Sequence, residues 1–376
     1  MRVPELAWLE VFNGLATRYE THYGEKPLNL SHWDPSPEWE AISCGVRLST
    51  TDVATYIYSE LLDIHPSIRQ KIGVSSDGKS SFLCNSGTAG IACALNYLKR
   101  MDVRKLHVIS PSYYALDHQA AVFGITLERS FVRRRNRRYS LPAMAATCEP
   151  GSVIWVTNPI FCTSCYYGEE DLRLLNELLE AGVWVFADEC LAMHGRELGR
   201  TLGHHERFVG IYTPHKSICI NGMKFSVLIG PAAAHAAFQE WSDVFAGGLA
   251  VSTLMAVKHF LTAQYEDVQE LVRRGLTQNL GRMQALLDRF SYVESDQGID
   301  GHFTMCFIPH IRAEMGVSPE FLWNVISTSG SSFYPGIRNH FDPRWGFCFR
   351  TNLARYSPRF EASLHRVLLA LGHNGT

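Results

Sequence analysis

The chain repeats one pattern: a short apolar run, then a polar turn, then a segment whose apolar positions lie three and four apart. Residues 81–84 lead into Asn85-Ser86-Gly87-Thr88, and 106–109 into Ser110-Pro111-Ser112-Tyr113. Residues 153–156 run into Thr157-Asn158-Pro159, 183–187 into Asp188-Glu189, and 208–212 into Thr213-Pro214-His215-Lys216. Runs that are apolar throughout, with polar residues only at their ends, predict strands buried on both faces. Between them, residues 89–99 place Ile91, Ala94, Leu95 and Leu98 on one helical face, and 170–179 do the same with Leu172, Leu175 and Leu179. Strands alternating with helices predict an α/β fold with a mostly parallel sheet and right-handed crossovers. Ligands of such sheets gather beyond the C-terminal ends of the strands. All five polar turns lie there and can converge on one site.

After about residue 240 the texture changes. Helical patterns over 254–265 and 268–290 precede a second α/β unit: a strand at 303–308, a helix near 319–327, a strand at 347–350 and a helix at 358–371. The expected organisation is a large domain over 46–265, a smaller C-terminal domain over 266–376, and an N-terminal segment, 1–45, packing with the small domain and a partner subunit.

Composition narrows the function. With 376 residues and 46% hydrophobic side chains the chain can bury a large core, and 19% charged residues exclude a disordered class. The 35 basic and 37 acidic side chains nearly cancel, which removes a protein-wide basic field for nucleic acid. No long apolar segment opens the chain, and the longest nearly uncharged apolar stretch, 245–257, is too short to cross a bilayer. The ten cysteines are scattered and read as reduced thiols. The expectation is a cytoplasmic protein without a membrane or nucleic-acid partner. Cys162-x-x-Cys165 has no second pair nearby and is expected to hold no metal. His204-His205 reads as a loop, and the arginine run 133–138 as a solvated turn, with an anion patch as the alternative.

The candidate chemistry starts at Lys216. A lysine desolvated at a strand end loses its proton readily and can form a Schiff base with a carbonyl, for which pyridoxal phosphate is the natural partner. That cofactor needs a phosphate cradle, an acid beside its ring nitrogen and a face for its ring. Ser86-Gly87-Thr88 opens a helix and offers backbone N–H groups to an anion. Asp188 ends an apolar strand. Tyr113 or Tyr114 can stack on the ring, and Asn158 can donate to the ring hydroxyl.

The order Ser-Gly-Thr, Pro-x-Tyr, Asn-Pro, Asp-Glu, Thr-x-x-Lys and a C-terminal Arg resembles that of fold type I pyridoxal-phosphate enzymes, the aspartate aminotransferase superfamily (aminotransferase class I/II), over roughly residues 28 to 370. Lys216 and Lys224 show the family's eight-residue step from the Schiff-base lysine to a second phosphate cation. The resemblance implies a large domain with a mostly parallel, seven-stranded-type sheet between helices. It implies an aminotransferase acting on an α-amino acid, with Lys216 as the Schiff-base residue and proton shuttle and Asp188 on the pyridine nitrogen. Asn158 would bond the 3′-oxygen and Tyr113 would stack on the ring. Ser86, Gly87, Thr88, Thr213 and Lys224 would cradle the phosphate, and Arg350 would clamp the substrate α-carboxylate. Tyr56 or Tyr58 would reach the partner subunit's phosphate in a homodimer with shared active sites. Trp33 is a candidate for the substrate pocket.

Three features depart from the family pattern. Leu191 stands where many members have a tyrosine bonding the 3′-oxygen; Lys224 replaces an arginine; and an insert, 160–167, follows Asn158-Pro159. These motivate an alternative on the same machinery: β- or γ-elimination, replacement or cyclisation of an amino-acid derivative in specialised metabolism.

Overall fold

Seven strands form the principal sheet: β1 (Lys79–Cys84), β2 (Lys105–Ser110), β3 (Thr126–Phe131), β4 (Val153–Thr157), β5 (Trp184–Glu189), β6 (Phe208–Tyr212) and β7 (Ser226–Pro231). The computed structural model describes residues 5–32, 57–74, 78–296 and 298–373. The strand order is β1-β7-β6-β5-β4-β2-β3, and only β7 runs antiparallel to its neighbours. The five strands predicted from the pattern are present. The pattern missed β3 and β7. β3 is an edge strand with Glu128 and Arg129 in its middle, so its apolar signal is weak.

The central strands are buried on both sides because neighbouring residues feed opposite cores. Trp155 and Phe186 stack with centroids 6.2 Å apart, in the layer beneath helices Gly87–Arg100 and His235–Glu240. Ile154, Val156, Val185 and Ala187 face the opposite layer, closed by Leu175 and Leu179 of helix Glu169–Glu180. Each large apolar side chain so buried contributes about 1.5–3 kcal/mol. Helix Gly87–Arg100 buries Ala92, Cys93, Asn96 and Tyr97 besides the predicted face, so it is enclosed on more sides than its pattern implied.

A second sheet joins β8 (Glu294–Ser295), β9 (Phe303–Ile308), β10 (Tyr334–Pro335) and β11 (Phe347–Asn352) in the order β8-β9-β11-β10, all antiparallel. Helices Gln264–Leu287, Pro319–Ser329 and Pro358–His373 pack with it. The predicted helices at 254–265 and 268–290 are instead Val251–Phe260 and Gln264–Leu287, the latter spanning the expected boundary at 265. The chain breaks at 261–263, where the Thr262 hydroxyl bonds the His259 carbonyl. Tyr265 thus opens the second helix and donates its hydroxyl to the Pro214 carbonyl at 2.9 Å, anchoring the turn that carries Lys216.

The arginine run is a hairpin, Arg133–Arg135 against Arg138–Ser140, turning at Asn136 and Arg137. It is not wholly solvated. Arg134 is directed inward over the Phe307 ring (4.0 Å) and pairs with Glu294 (2.9 Å) and Asp296 (3.3 Å). His205 lies in a turn and meets Asn176 Oδ1 at 2.8 Å.

Candidate active site

Polar turns from four strands and the insert after β4 meet around a cavity of about 300 Å³. Its lining includes Ser86, Gly87 and Thr88 after β1, Tyr113 after β2, Phe161 after β4, Asp188 and Leu191 at β5, and Lys216 after β6.

One wall is the start of helix Gly87–Arg100. Ser86 is extended and accepts the Ala89 N–H at 3.1 Å, which caps the helix and turns its first N–H groups toward the cavity. A Cβ on Gly87 would stand 2.8 Å from Cys190 Sγ and 3.0 Å from Thr213 Cγ2. Only glycine lets the helix start press this closely on the ends of β5 and β6. Lys224 also lines the cavity, which adds a cation to the helix N-terminus.

The acid lies at the end of β5. Asp188 is buried and accepts the Cys190 N–H at 3.1 Å. Burial pushes its pKa up, against hydrogen bonding from Cys190 and the charge of Lys216. Its neighbour Glu189 turns away, accepting from Leu198 N–H (2.5 Å), the Asn158 amide (2.9 Å) and Gly199 N–H (3.2 Å). Burial raises Glu189 to about 8. Asn158 thereby commits its Nδ2 to Glu189 and to the Arg196 carbonyl (3.1 Å), while its buried Oδ1 has no hydrogen-bond partner.

Lys216 is half-buried in the short helix Pro214–Ile218, whose first residue, a proline, presets the turn. His215 and His302 flank it. Burial, then the Lys216 charge, lowers His215 to about 3 and His302 to about 4, so both rings are neutral at pH 7. His215 Nδ1 accepts the Phe225 N–H at 3.2 Å. His215 was legible beside Lys216 but was passed over; His302 lies far along the chain and no local motif marks it.

The insert 160–167 stitches the cavity to the second sheet. Phe161 lines the cavity and stacks toward Tyr113, centroids 5.8 Å apart. Ser164 donates to the Phe303 carbonyl at 2.6 Å and accepts the Ile299 N–H at 2.9 Å through its carbonyl. Cys162 Sγ receives an Arg350 N–H at 3.4 Å, and Arg350 also donates to the Ser31 carbonyl at 2.8 Å. Arg350 therefore lies beside the cavity, behind the insert, on β11.

The structure thus brings together Ser86, Gly87, Thr88, Tyr113, Asp188, Lys216 and Lys224. Thr213 is next to them, but its hydroxyl bonds the Cys190 carbonyl at 2.5 Å. Tyr58 does not line this cavity; it lies in a depression with Glu60, Leu61, Asp243 and Gly247. Trp33 and Tyr56 lie outside the described residues. Leu191 is part of an apolar wall with Phe161 and Phe303. Cys162 and Cys165 are both buried and belong to different apolar clusters.

No family model matches the sequence, and no curated protein matches it. Solved structures do match its fold. N-Succinyldiaminopimelate aminotransferase from Mycobacterium tuberculosis superposes with a TM-score of 0.77 at 18% identity, covering 98% of this chain and 100% of that one. YbdL from Escherichia coli, identified with a methionine aminotransferase function, gives 0.75 at 17% identity over 98% and 99%. An aspartate aminotransferase from Thermotoga maritima gives 0.77 at 16% identity over 99% and 98%. The chain has the fold type I architecture of these aminotransferase structures, along its whole described length.

Proposed function

We propose that this protein is a pyridoxal-phosphate-dependent aminotransferase acting on an α-amino acid. The observation that carries the reading is the convergence of Lys216, Asp188 and the start of helix Gly87–Arg100 on one cavity. The residues present fit the cofactor. The helix N-terminus with Thr88 and Lys224 suits a phosphate. Asp188 is a buried carboxyl whose pKa burial has raised, and a cationic ring nitrogen would hold it ionised. Tyr113, Cys190 and Leu191 line the same cavity and offer faces for a flat ring.

When bound, pyridoxal phosphate supplies an aldehyde that condenses with amines and a pyridinium ring that draws electrons from the substrate α-carbon. The Lys216 amine would hold the cofactor and move the proton of the substrate Cα, with two neutral histidines beside it that would not compete as cations. Asp188 would keep the ring nitrogen protonated. Asn158 would donate to the 3′-oxygen only by giving up one of its two Nδ2 contacts, to Glu189 or to the Arg196 carbonyl. Arg350 holds the α-carboxylate by exchanging its Ser31 and Cys162 contacts for a bidentate pair. Phe161 and Leu191 exclude water from one wall.

The reading includes a cytoplasmic homodimer. Among the described residues no helix is long and apolar enough to cross a membrane. Leu61, Val244 and Phe245 are 74%, 68% and 59% exposed, and their two segments are joined by the Leu249 N–H to the Ile57 carbonyl (2.9 Å). Tyr58 lies in that patch, where a second copy would bury it and share its hydroxyl.

One experiment tests the reading. Purified protein is sedimented, reduced with borohydride and digested, and native protein is titrated with amino donors and a 2-oxo acid. The expected results are a dimer, a cofactor-sized mass on the Lys216 peptide that is absent in Lys216→Ala, and amino transfer from at least one donor. An unmodified peptide refutes the cofactor. Ammonia and a 2-oxo acid released without any acceptor would refute transamination in favour of elimination.

A further inference from the structure

Asn85 lies between β1 and the start of helix Gly87–Arg100 and does not itself line the cavity. Its amide is committed to a segment far along the chain. Nδ2 donates to the Gly248 carbonyl at 3.0 Å, and Oδ1 accepts the Ala250 N–H at 2.8 Å and the Thr253 hydroxyl at 3.0 Å. A carbonyl on one side and an N–H on the other fix the orientation of the amide. These contacts hold the start of helix Val251–Phe260, whose N-cap residue, Ala250, has no side-chain oxygen with which to do so.

Thr253 carries the connection further. Its buried hydroxyl also lies 2.8 Å from the Lys224 carbonyl, so Asn85 and Lys224 share one donor. From Lys224 the chain passes through Phe225 to Ser226, the first residue of β7, whose hydroxyl donates to the Ser86 carbonyl at 2.8 Å. Residues 85–86, 224–226 and 253 therefore close a ring of bonds. The ring fixes two pieces of the cavity wall that belong to different elements: the helix start at Ser86-Gly87-Thr88 and the backbone of Lys224. A positive helix N-terminus and an ammonium repel each other until an anion lies between them. A staple outside the cavity offsets that repulsion and keeps their spacing when no anion is bound.

We propose that Asn85 is a positioning residue for the phosphate subsite: without touching the ligand, it holds the helix start and Lys224 at the one spacing that grips a dianionic phosphate monoester. The proposal rests on the functional reading above, in which these two groups take the cofactor phosphate. It assigns to the residue ahead of Ser86-Gly87-Thr88 the task of joining them.

Pyridoxal, which lacks the phosphate, separates a role at that subsite from a role in folding. Protein freed of cofactor is titrated with pyridoxal phosphate and with pyridoxal, followed by imine absorbance, and with inorganic phosphate by calorimetry. Asn85→Ala should bind pyridoxal phosphate about tenfold or more weakly, the effect of losing one to three neutral hydrogen bonds, with pyridoxal unchanged within about twofold. Thr253→Val keeps the side-chain shape and removes only the shared hydroxyl. It should show the same selectivity with a smaller loss, and it guards against a folding defect in the first variant. Lys224→Met should cost less affinity for pyridoxal phosphate in the Asn85→Ala background than in the native protein, because Asn85 acts through Lys224. An equal loss for both aldehydes overturns the proposal, as does no loss in either variant or strict additivity of the Lys224→Met and Asn85→Ala losses. Should neither aldehyde form an imine with the native protein, the functional reading fails, and the phosphate arm decides alone. Phosphate binding weakened in Asn85→Ala then supports the staple, and equal or absent binding refutes it.

Discussion

At the scale of single residues, the site is built by positions that tolerate no addition. Gly87 is the clearest: a methyl group there meets Cys190 Sγ and Thr213 Cγ2 at once, and neither can retreat because Thr213 is bonded to the Cys190 carbonyl. Gly87→Ala should cost about 1–3 kcal/mol in urea unfolding, the usual range for overpacking. It should also weaken cofactor binding in an absorbance titration by lifting the helix N-terminus from the cavity. Unchanged stability and affinity would mean that the helix start is not in close contact with β5 and β6. Six of the site residues were legible because each belongs to a short motif at or beyond the end of a strand, where the apolar run stops; Lys224, ahead of β7, was legible only from its eight-residue step after Lys216. His302 was not legible. It is a lone polar residue on a different element, and only the packing of the second sheet brings it to Lys216.

At the scale of elements, the hairpin 133–140 shows how charge can mislead a sequence reading. Six positions with five arginines look like a solvated turn, yet strand alternation sends Arg134 inward while Arg133 and Arg135 stay exposed. Arg134 spans the two sheets: it lies on Phe307 of β9 and pairs with buried Asp296 just beyond β8, which also accepts the Tyr139 hydroxyl at 2.7 Å. Burial raises Asp296 to about 7 even with this partner. Arg134→Met should therefore destabilise the protein by about 3–5 kcal/mol at pH 8, above the value of about 7 near which Asp296 ionises beside Arg134, the cost of leaving a buried charge unpaired. Adding Asp296→Asn should restore part of it, measured as urea midpoints of the single and double variants. A single-variant loss below about 1 kcal/mol, as for a surface pair, would refute the coupling. The helix break expected at 266–267 lies instead at 261–263, because its position is set by the Thr262 hydroxyl and by the reach of Tyr265 to Pro214 and not by the apolar spacing.

At the scale of the whole molecule, buried ionisable groups pull stability in two directions. His215 and His302 are held neutral, with pKa values lowered to about 3 and about 4 from an ordinary value near 6.5. The unfolded chain binds protons at these rings below pH 6.5 while the folded chain does not, so they favour unfolding progressively as pH falls from 6.5 toward 3. Glu189 and Asp296 are opposite. Their folded values are raised to about 8 and about 7, so the folded chain keeps protons that the unfolded chain has released above about pH 4. Their contribution is complete at low pH and is lost as pH rises through 7 and 8. Between about pH 4.5 and 6.5 the two pairs nearly cancel. Above that window only the carboxyls act, and stability falls with rising pH. Below it the histidines dominate, and Asp117, held down at about 2 by His340 and Arg129 despite its burial, steepens the acid limb. Urea midpoints taken from pH 3 to 9 should therefore form a plateau on the acid side of neutrality with a decline on both sides. Glu189→Gln should flatten the alkaline limb, because a neutral amide has no proton to lose. A midpoint that climbs steadily to pH 8 would show that Glu189 and Asp296 are ionised in the folded protein. The same carboxyl network holds the Asn158 amide, so its titration should also shift the absorbance of bound cofactor over pH 7 to 9.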